Sequence, residues 1–281
     1  MSACRDEERT LARTIVREQV AGQKKNSGGS GSPFGLTGSM LKWIAIVTMF
    51  IDHVGGCLLE VYFMNSHGNS PYKGFWDLPS DQMTFWFEVD IALRCIGRLA
   101  FPIFCFLLVE GFLHTRNVKK YALRLGLFCL ISEIPFDLAF RGEPFYWLYQ
   151  NVFFTLLLGL LGIWALEYFW RRQRLVGALL AIATALVADL LHTDYGAFGV
   201  FFIELLYLFR SRVLVRNILC IGSLLLYGGL EMLGALAFLP IVLYNGTRGK
   251  QPKYFFYVFY PIHLLILMAV GRWLLPVLLC V

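Results

Sequence analysis

The sequence predicts an all-α protein, a polytopic integral membrane bundle of helices with its N-terminus in the cytoplasm. Of its 281 residues, 58% are hydrophobic and 16% aromatic, and the mean hydropathy is +0.62, well above the balance of a soluble domain. Long apolar runs recur along the chain, and lysines and arginines concentrate in alternate joining segments. About eight to ten transmembrane helices fit this pattern, and nine fit it best.

The nine predicted segments are apolar runs of about the 20 residues that a bilayer requires, with some shorter. They cover residues 41–63, 86–113, 121–140, 147–170, 175–192, 196–210, 213–228, 230–245 and 254–279. Those between residues 175 and 245 are the least distinct. No internal repeat of the kind found in many secondary transporters is visible in the sequence.

The orientation follows from the basic residues of the loops. One set of alternate loops holds Arg116, Lys119, Lys120, Arg124, Arg171, Arg172, Arg174, Arg210, Arg212, Arg216, Arg248, Lys250 and Lys253, whereas the opposite loops hold Lys73, Arg141 and Arg272. The positive-inside rule places the first set and the N-terminus in the cytoplasm. The net charge of +6 therefore indicates membrane orientation, and no nucleic-acid partner is expected.

The chain divides into a polar N-terminal tail with a Gly/Ser-rich linker, residues 1–39, and a single transmembrane domain, residues 40–281. Disorder, a short amphipathic helix near residues 7–20 and an upstream start of translation are all open for the tail. The seven cysteines lie mostly inside apolar runs without the spacing of metal ligands, so no metal site is expected.

Charged side chains interrupt several of the apolar segments. Each costs about 2.5 kcal/mol or more in a bilayer unless it faces the protein interior, a partner or water. His53 lies about 16 Å along the first helix from Lys42. A histidine at that depth has the chemistry of a proton acceptor near neutral pH, which favours function over packing. Arg94 and Arg98, four residues apart, share one face of the second segment.

Glu133 and Asp137 share one face of the third segment. Two interpretations stay open for them: a functional role, or buried ion pairs with Arg94 or Arg98 that hold helices together. Asp52 points about 100° away from the next residue along its helix, so it is expected to pair with an arginine or to cap a neighbouring helix.

His263, next to Pro261 on the last segment, fits two interpretations equally well: a functional histidine turned inward by a kink, and a satisfied core residue.

Five blocks of the sequence together resemble the TraX family, named for the protein that acetylates the N-terminal amine of conjugative pilin. The blocks are "LTGSMLKWIAIVTMFIDHVG", "LRCIGRLAFPIFCFLLVEGFLHTRNVKKYALRLGLFCLISEIPFDLAF", "NVFFTLLLG", "DYGAFGV" and "FYPIHLL". The resemblance spans roughly residues 36–265. It does not extend to the tail before about Pro33.

TraX is similar in turn to integral-membrane acyltransferases, which use cytosolic acetyl-CoA. In those enzymes a basic residue and a histidine stand on the first core helix with ten residues between them, and Lys42 and His53 have this spacing. The resemblance implies a catalytic His53. Acetyl transfer needs a base and a hydrogen-bond donor for the oxyanion, and His53 and Arg98 or Arg94 are suited to these two roles. Asp52 and Glu133 are further candidate catalytic residues. Whether His53 acts as a base or is itself acetylated stays open.

Coenzyme A is strongly anionic, so its nucleotide end is expected near a basic cytosolic mouth. The candidate binding residues are Lys42, Arg94, Arg116, Lys119, Lys120 and Arg124, with Asp137 and His263 as secondary site residues. The expected partners are acetyl-CoA as donor, an acceptor peptide or glycan with an amine or hydroxyl group, and the lipid bilayer.

Two other functions compete with the acetyltransferase. In a proton-coupled transporter, Glu133, Asp137, His53 and His263 would form a relay. In a conjugation or envelope accessory protein, the charged residues would only hold helices together. The sequence alone does not name the acceptor.

Overall fold

The computed structural model of the chain describes residues 35–64, 74–170, 173–250 and 255–278. Residues 1–34, which make up most of the predicted tail, lie outside the described residues, as do Lys73, Arg171, Arg172 and Lys253. The α-helices are α1 Gly38–His53, α2 Ser80–Gly97, α3 Ala100–His114, α4 Val118–Phe140, α5 Val152–Phe169, α6 Arg174–Leu190, α7 Gly196–Leu208, α8 Val213–Tyr227, α9 Phe238–Val242, α10 Phe255–Ala269 and α11 Leu275–Leu278. Four other helical stretches are the π-helices Val54–Phe63 and Val270–Leu274 and the 3₁₀ helices Gly74–Asp77 and Gly229–Ala237.

The described residues form an all-α membrane bundle, as predicted, with no named strand among them. Four stretches are long and apolar enough to cross a membrane: Gly38–Phe63, Ser80–His114, Val152–Phe169 and Tyr257–Leu274. Three shorter apolar helical stretches cover Gly196–Leu208, Val213–Tyr227 and Gly229–Val242. With α4 and α6, nine helical stretches among the described residues correspond to the nine predicted segments, but they differ widely in length.

Two predicted segments differ from the structure in an informative way. The segment 86–113 is two helices, α2 and α3, which are separated at Arg98 and Leu99. Half of the segment 230–245 belongs to the 3₁₀ helix Gly229–Ala237, which is followed by the five residues of α9. At the break between α2 and α3, Pro102 has no N–H to donate to the carbonyl of Arg98, four residues earlier, and the Arg98 side chain bonds Glu231 of the 3₁₀ helix.

The loops group at the two ends of the bundle as the charge pattern predicts. At one end, the loop after α9 lies against the start of α1, where the backbone N–H groups of Gly38 and Ser39 donate to the carbonyls of Thr247 and Arg248, at 2.8 and 2.9 Å. At the other end, a backbone bridge joins Gln150 to Thr193. Loops that are predicted to lie on the same side of the membrane therefore meet.

The buried core is apolar, and so is much of the outer surface. The largest core cluster includes Ile103, Leu160 and Phe202, which are fully buried and bring α3, α5 and α7 together. Leucines on the outward faces of α6 and α8 are mostly exposed, with Leu226 90% and Leu190 77% exposed. Apolar side chains exposed in this number are typical of helices that face lipid.

The first helix is built to change its geometry at His53. Thr37 caps its start, with its hydroxyl accepting from the N–H of Met40 at 3.2 Å. Beyond His53 the helix continues as the wider π-helix Val54–Phe63. Such π-type turns are rare and often occur at functional sites.

Candidate functional site

Three glycines allow the first two helices to touch near His53. A methyl group at Gly97 would lie 2.2 Å from the Asp52 side chain, and one at Gly56 would lie 2.7 Å from Nη1 of Arg94. A methyl group at Gly55 would lie 2.9 Å from Oδ1 of Asp90. Because these positions have no side chain, the charged groups of one helix can lie directly against the other helix.

The charged cluster consists of Asp52, Glu60, Arg94, Arg98 and Glu231. Asp52 Oδ2 accepts from Nη1 of Arg94 at 2.7 Å, and Asp52 Oδ1 accepts from Nη2 of Arg98 at 2.8 Å. Nη1 of Arg98 donates to Glu231 at 2.5 Å, and Nε of Arg94 lies 3.4 Å from Glu60. The side chains of Arg98 and Asp52 are 10% and 16% exposed, so the centre of the cluster is largely removed from solvent, whereas Glu60 at its edge is 40% exposed.

The predicted pairing of Asp52 with an arginine is therefore confirmed, whereas pairing of Arg94 or Arg98 with Glu133 or Asp137 is wrong. Both α4 carboxylates bond the segment between α4 and α5 instead. Glu133 accepts from the side-chain and backbone N–H groups of Asn151, the latter at 3.2 Å. Asp137 Oδ2 accepts from the backbone N–H of Tyr146 at 2.8 Å. The arginines prefer Asp52 because the glycine at position 97 brings it closer.

His53 and His263, predicted separately, meet inside the bundle. Nδ1 of His53 lies 2.6 Å from Nε2 of His263, and the other ring nitrogen of His263 lies 2.8 Å from the carbonyl oxygen of Phe259. The two rings are 3° from parallel with centroids 4.9 Å apart, a side-by-side arrangement in which the facing nitrogens can share a proton. His53 is 8% and His263 3% exposed.

Nε2 of His53 is assigned no hydrogen-bond partner among the described residues. The edges of Phe140 and Tyr260 pack against the His53 ring, with centroids 5.5 and 5.8 Å away. The ring also lies close enough to Arg94 and Arg98 to interact with their charges. The site thus combines a buried imidazole with fixed positive charge in an apolar wall.

A second polar group near the charged cluster, formed by Tyr149 and Asp194, was not predicted as part of the site. The Tyr149 hydroxyl donates to Oδ1 of Asp194 at 2.9 Å, and Asp194 lies near Arg98. Burial raises the pKa of Asp194 to about 6, and the Tyr149 hydrogen bond opposes that rise. Tyr195 holds a positive φ of 66° and stacks on Phe101, with ring centroids 3.7 Å apart. Strained, non-glycine backbone of this kind is concentrated at functional sites.

The sequence contains signals for the site residues that were not predicted. Glu60 and Glu231 stand alone within apolar stretches, where a carboxylate requires a partner. The Gly55–Gly56 pair follows Asp52 and His53 directly, and glycines inside an apolar helix indicate close approach of another element. The partners themselves come from distant parts of the chain, so their identity needed the three-dimensional structure.

The predicted donor-binding residues lie in two places. Arg116, Lys119, Lys120 and Arg124 are exposed at the start of α4, and Lys42 is half-buried in the first turns of α1. These five residues lie at the end of the bundle where the loop after α9 meets α1, and they define the basic end. Arg94, by contrast, belongs to the charged cluster.

The arrangement can move a proton and stabilise a developing negative charge. His53 offers an imidazole nitrogen, and Nη2 of Arg94 is assigned no acceptor within the described part of the chain, so it can donate to an oxyanion. Each terminal nitrogen of Arg98 already donates to a carboxylate. Among the described residues, no group of three or more His, Cys, Asp or Glu side chains could hold a metal ion.

Comparison with known proteins identifies the family of the chain. The sequence model described as "TraX protein" matches residues 37–271. A relative from Dichelobacter nodosus, "Probable fimbrial assembly protein FimC, serogroup H1", is 30% identical over 261 residues, which cover 83% of this chain and 95% of that relative. No solved structure matches. The chain belongs to the TraX family.

Proposed function

We propose that this protein is an integral-membrane acetyltransferase of the cell membrane, which moves an acetyl group from cytosolic acetyl-CoA to an acceptor amine or hydroxyl, with His53 as general base. The observation that carries the proposal is the His53 ring, which is buried and interacts with the charge of Arg94. Among the described residues, neither Nε2 of His53 nor Nη2 of Arg94 has a hydrogen-bond partner. A base next to a cationic hydrogen-bond donor is what acyl transfer from a thioester requires.

The proposed reaction is balanced within the site. The acceptor nitrogen or oxygen attacks the thioester carbonyl as His53 Nε2 takes its proton, and a tetrahedral oxyanion forms near Nη2 of Arg94. The carbon–sulfur bond then breaks, and the His53 imidazolium returns the proton to the leaving sulfur. The products are the acetylated acceptor and coenzyme A thiol, and His53 is neutral again.

The donor would enter from the basic end. Lysine and arginine side chains there can bind the phosphates of coenzyme A. Lys119 and Lys120 lie in the first turn of α4, where no acidic residue is present. Cations at a helix N-terminus are normally unfavourable, and a bound phosphate would relieve that repulsion. The pantetheine arm would then extend about 16 Å along α1, from Lys42 to His53.

The acceptor would approach from the opposite end, near the charged cluster. The relative from Dichelobacter nodosus is named as a probable fimbrial assembly protein, which supports a role in pilus or fimbrial assembly. A pilin N-terminal amine is therefore the acceptor that we favour. A cell-surface glycan hydroxyl is the second acceptor that the chemistry allows.

The contacts of the structure favour this function over a transporter. A proton relay through Glu133 and Asp137 would need both carboxylates directed at the histidines, but Glu133 bonds Asn151 and Asp137 bonds the backbone of Tyr146. The arginines that would hold an anionic cargo are bonded to Asp52.

The test is acetyl-CoA turnover by purified protein in detergent, followed as release of free coenzyme A thiol, with acetyl-CoA binding measured in parallel. We expect binding and slow thiol release in the wild type, and binding without release in His53→Ala. His114→Ala is the matched control, because His114 is an exposed histidine at the end of α3.

Two results would overturn the proposal. The first is a well-folded wild type that neither binds acetyl-CoA nor releases thiol. The second is undiminished release by His53→Ala. Either result would shift the interpretation to transport or to a non-catalytic role in assembly.

A further inference from the structure

The hydrogen bonds of His263 determine where its proton lies. Its Nδ1 is 2.8 Å from the carbonyl oxygen of Phe259, and a carbonyl oxygen can only accept. Nδ1 of His263 must therefore carry the proton and donate it. In a neutral imidazole the other nitrogen is then the acceptor, so Nε2 of His263 presents a lone pair.

That lone pair in turn determines the tautomer of His53. Nδ1 of His53 lies 2.6 Å from Nε2 of His263 in nearly the same plane, so His53 Nδ1 must donate. A neutral His53 protonated at Nδ1 has its lone pair on Nε2. The reverse assignment would place the lone pair of His263 Nδ1 against the Phe259 oxygen at 2.8 Å, which is repulsive.

The packing around His263 holds it in this orientation. Phe259 stacks on the His263 ring, with centroids 4.7 Å apart and planes 14° apart. Phe50 and Tyr260 meet the ring edge-on, at 6.0 and 5.6 Å. Phe259 and His263 lie four residues apart on α10, so the acceptor for Nδ1 comes from the preceding turn of the same helix.

We propose that His263 is a positioning residue, which holds His53 in the Nδ1–H tautomer so that Nε2 is the basic nitrogen of the site. This inference rests on the proposed function for its role in turnover, although the tautomer can be measured without it. His263 would also stabilise the imidazolium that forms at His53, because the Nδ1–H bond becomes charge-assisted. A triad aspartate has the same two tasks, but here a neutral imidazole performs them, since Asp52 is bonded to the arginines.

The direct test is ¹⁵N NMR of the full-length protein in detergent with ¹⁵N-labelled histidine. The chain has five histidines, and the spectrum of His53→Gln identifies the His53 signals by their loss. We expect His53 in the wild type with a protonated Nδ1 and an unprotonated Nε2. A wild-type His53 protonated at Nε2 and not at Nδ1 would overturn the proposal, whether or not the protein turns over acetyl-CoA.

Two substitutions separate positioning from packing. In His263→Phe the ring volume is kept but the acceptor is lost, so Nε2 of His53 should become protonated in part or in full. Coenzyme A release should then fall at least about a hundredfold with acetyl-CoA binding unchanged, because a general base contributes about 10² or more to the rate. In His263→Gln an amide oxygen can accept from His53, so both the tautomer and part of the rate should be restored.

His114→Gln is the control, and its spectrum and rate should match those of the wild type. An unchanged His53 tautomer in a folded His263→Phe protein would contradict the proposal. If that variant does not fold, the wild-type spectrum and His263→Gln still decide the question. A correct tautomer in a protein without turnover would leave the tautomer assignment intact while removing the proposed function.

Discussion

The charged cluster and the basic end both concentrate cations in a mostly apolar protein, but the cations are largely buried and paired in the first and mostly exposed in the second. In the cluster, Arg94 and Arg98 each bond a carboxylate at 2.7–2.8 Å, and little of either pair is exposed. At the basic end, Lys119, Lys120 and Arg124 are exposed at the start of one helix. Buried cations need fixed partners, whereas exposed cations remain available to a ligand. This difference supports the proposal that the cluster builds the site and that the basic end binds the donor.

The largest expected effect comes from breaking the cluster at its centre. Arg98→Leu would leave Glu231 without its arginine and Asp52 with Arg94 alone, and removing one member of a buried pair typically costs about 3–5 kcal/mol. We expect a marked fall in the thermal unfolding temperature in detergent.

The matched control for that substitution is Arg174→Leu, at an exposed position at the start of α6. It should change the free energy of unfolding by no more than about 0.5 kcal/mol, as surface substitutions usually do. Equal losses in the two variants would contradict the distinction between the two regions.

A smaller but more specific effect is expected where the cluster depends on a glycine. Gly97→Ala places a methyl group 2.2 Å from the Asp52 side chain, so α1 and α2 must separate. Overpacking of this kind typically costs about 1–3 kcal/mol. The thermal unfolding temperature should fall, and acetyl transfer should fall with it because the histidine lies next to Asp52.

Gly222→Ala tests whether that loss comes from the contact. Gly222 lies within α8, and a methyl group there would have nothing within 4 Å. Alanine should be tolerated or should stabilise the helix by up to about 1 kcal/mol. If Gly97→Ala is as harmless as Gly222→Ala, the close approach of Asp52 is not important.

The smallest effect is expected at the basic end, and only on binding. Removal of both charges in the Lys119→Gln/Lys120→Gln variant should weaken acetyl-CoA binding about tenfold, because each lost charge-assisted hydrogen bond contributes more than a neutral one. The unfolding temperature should hardly change, since both side chains are exposed.

Acetyl-pantetheine, which lacks the nucleotide, sharpens this test. Its reaction should be insensitive to the two substitutions, and the difference between the two donors should shrink as salt is added. If the variant weakens both donors equally, the lysines do not bind the nucleotide end.

Most of the architecture could be predicted from the sequence because membrane helices carry a strong local signal. Apolar runs and alternating basic loops predicted the nine helical stretches and the loops that meet at each end. His53, Arg94 and Arg98 could be selected because an ionisable side chain inside an apolar membrane segment is costly without a partner or a functional role. The pairings could not be predicted, since Arg98 bonds residues 46 and 133 positions away. The break between α2 and α3, by contrast, has a local signal in the sequence, because Pro102 cannot donate to the carbonyl of Arg98.

His263 shows the limit most clearly. Its neighbours Pro261 and Leu264 fitted both a core and a functional histidine, and only its contact with His53, 210 positions away, separates these interpretations. Glu133 shows the reverse case, because a carboxylate at a suitable depth lies against Asn151 and not against an arginine. Depth along a helix can be estimated from the sequence, but the direction of a side chain depends on the neighbouring helix.

The most direct test of the account is acetyl transfer across reconstituted vesicles. Acetyl-CoA with a labelled acetyl group would be supplied only at the basic end, and a peptide with a free N-terminal amine only at the other. We predict labelled peptide with the wild type and with His114→Gln, and at least about a hundredfold less with His53→Gln, at unchanged acetyl-CoA binding. Equal labelling by His53→Gln, or no labelling by a folded wild type that binds acetyl-CoA, would contradict the claim that His53 is the base for acetyl transfer from a donor at the basic end to an acceptor at the other end.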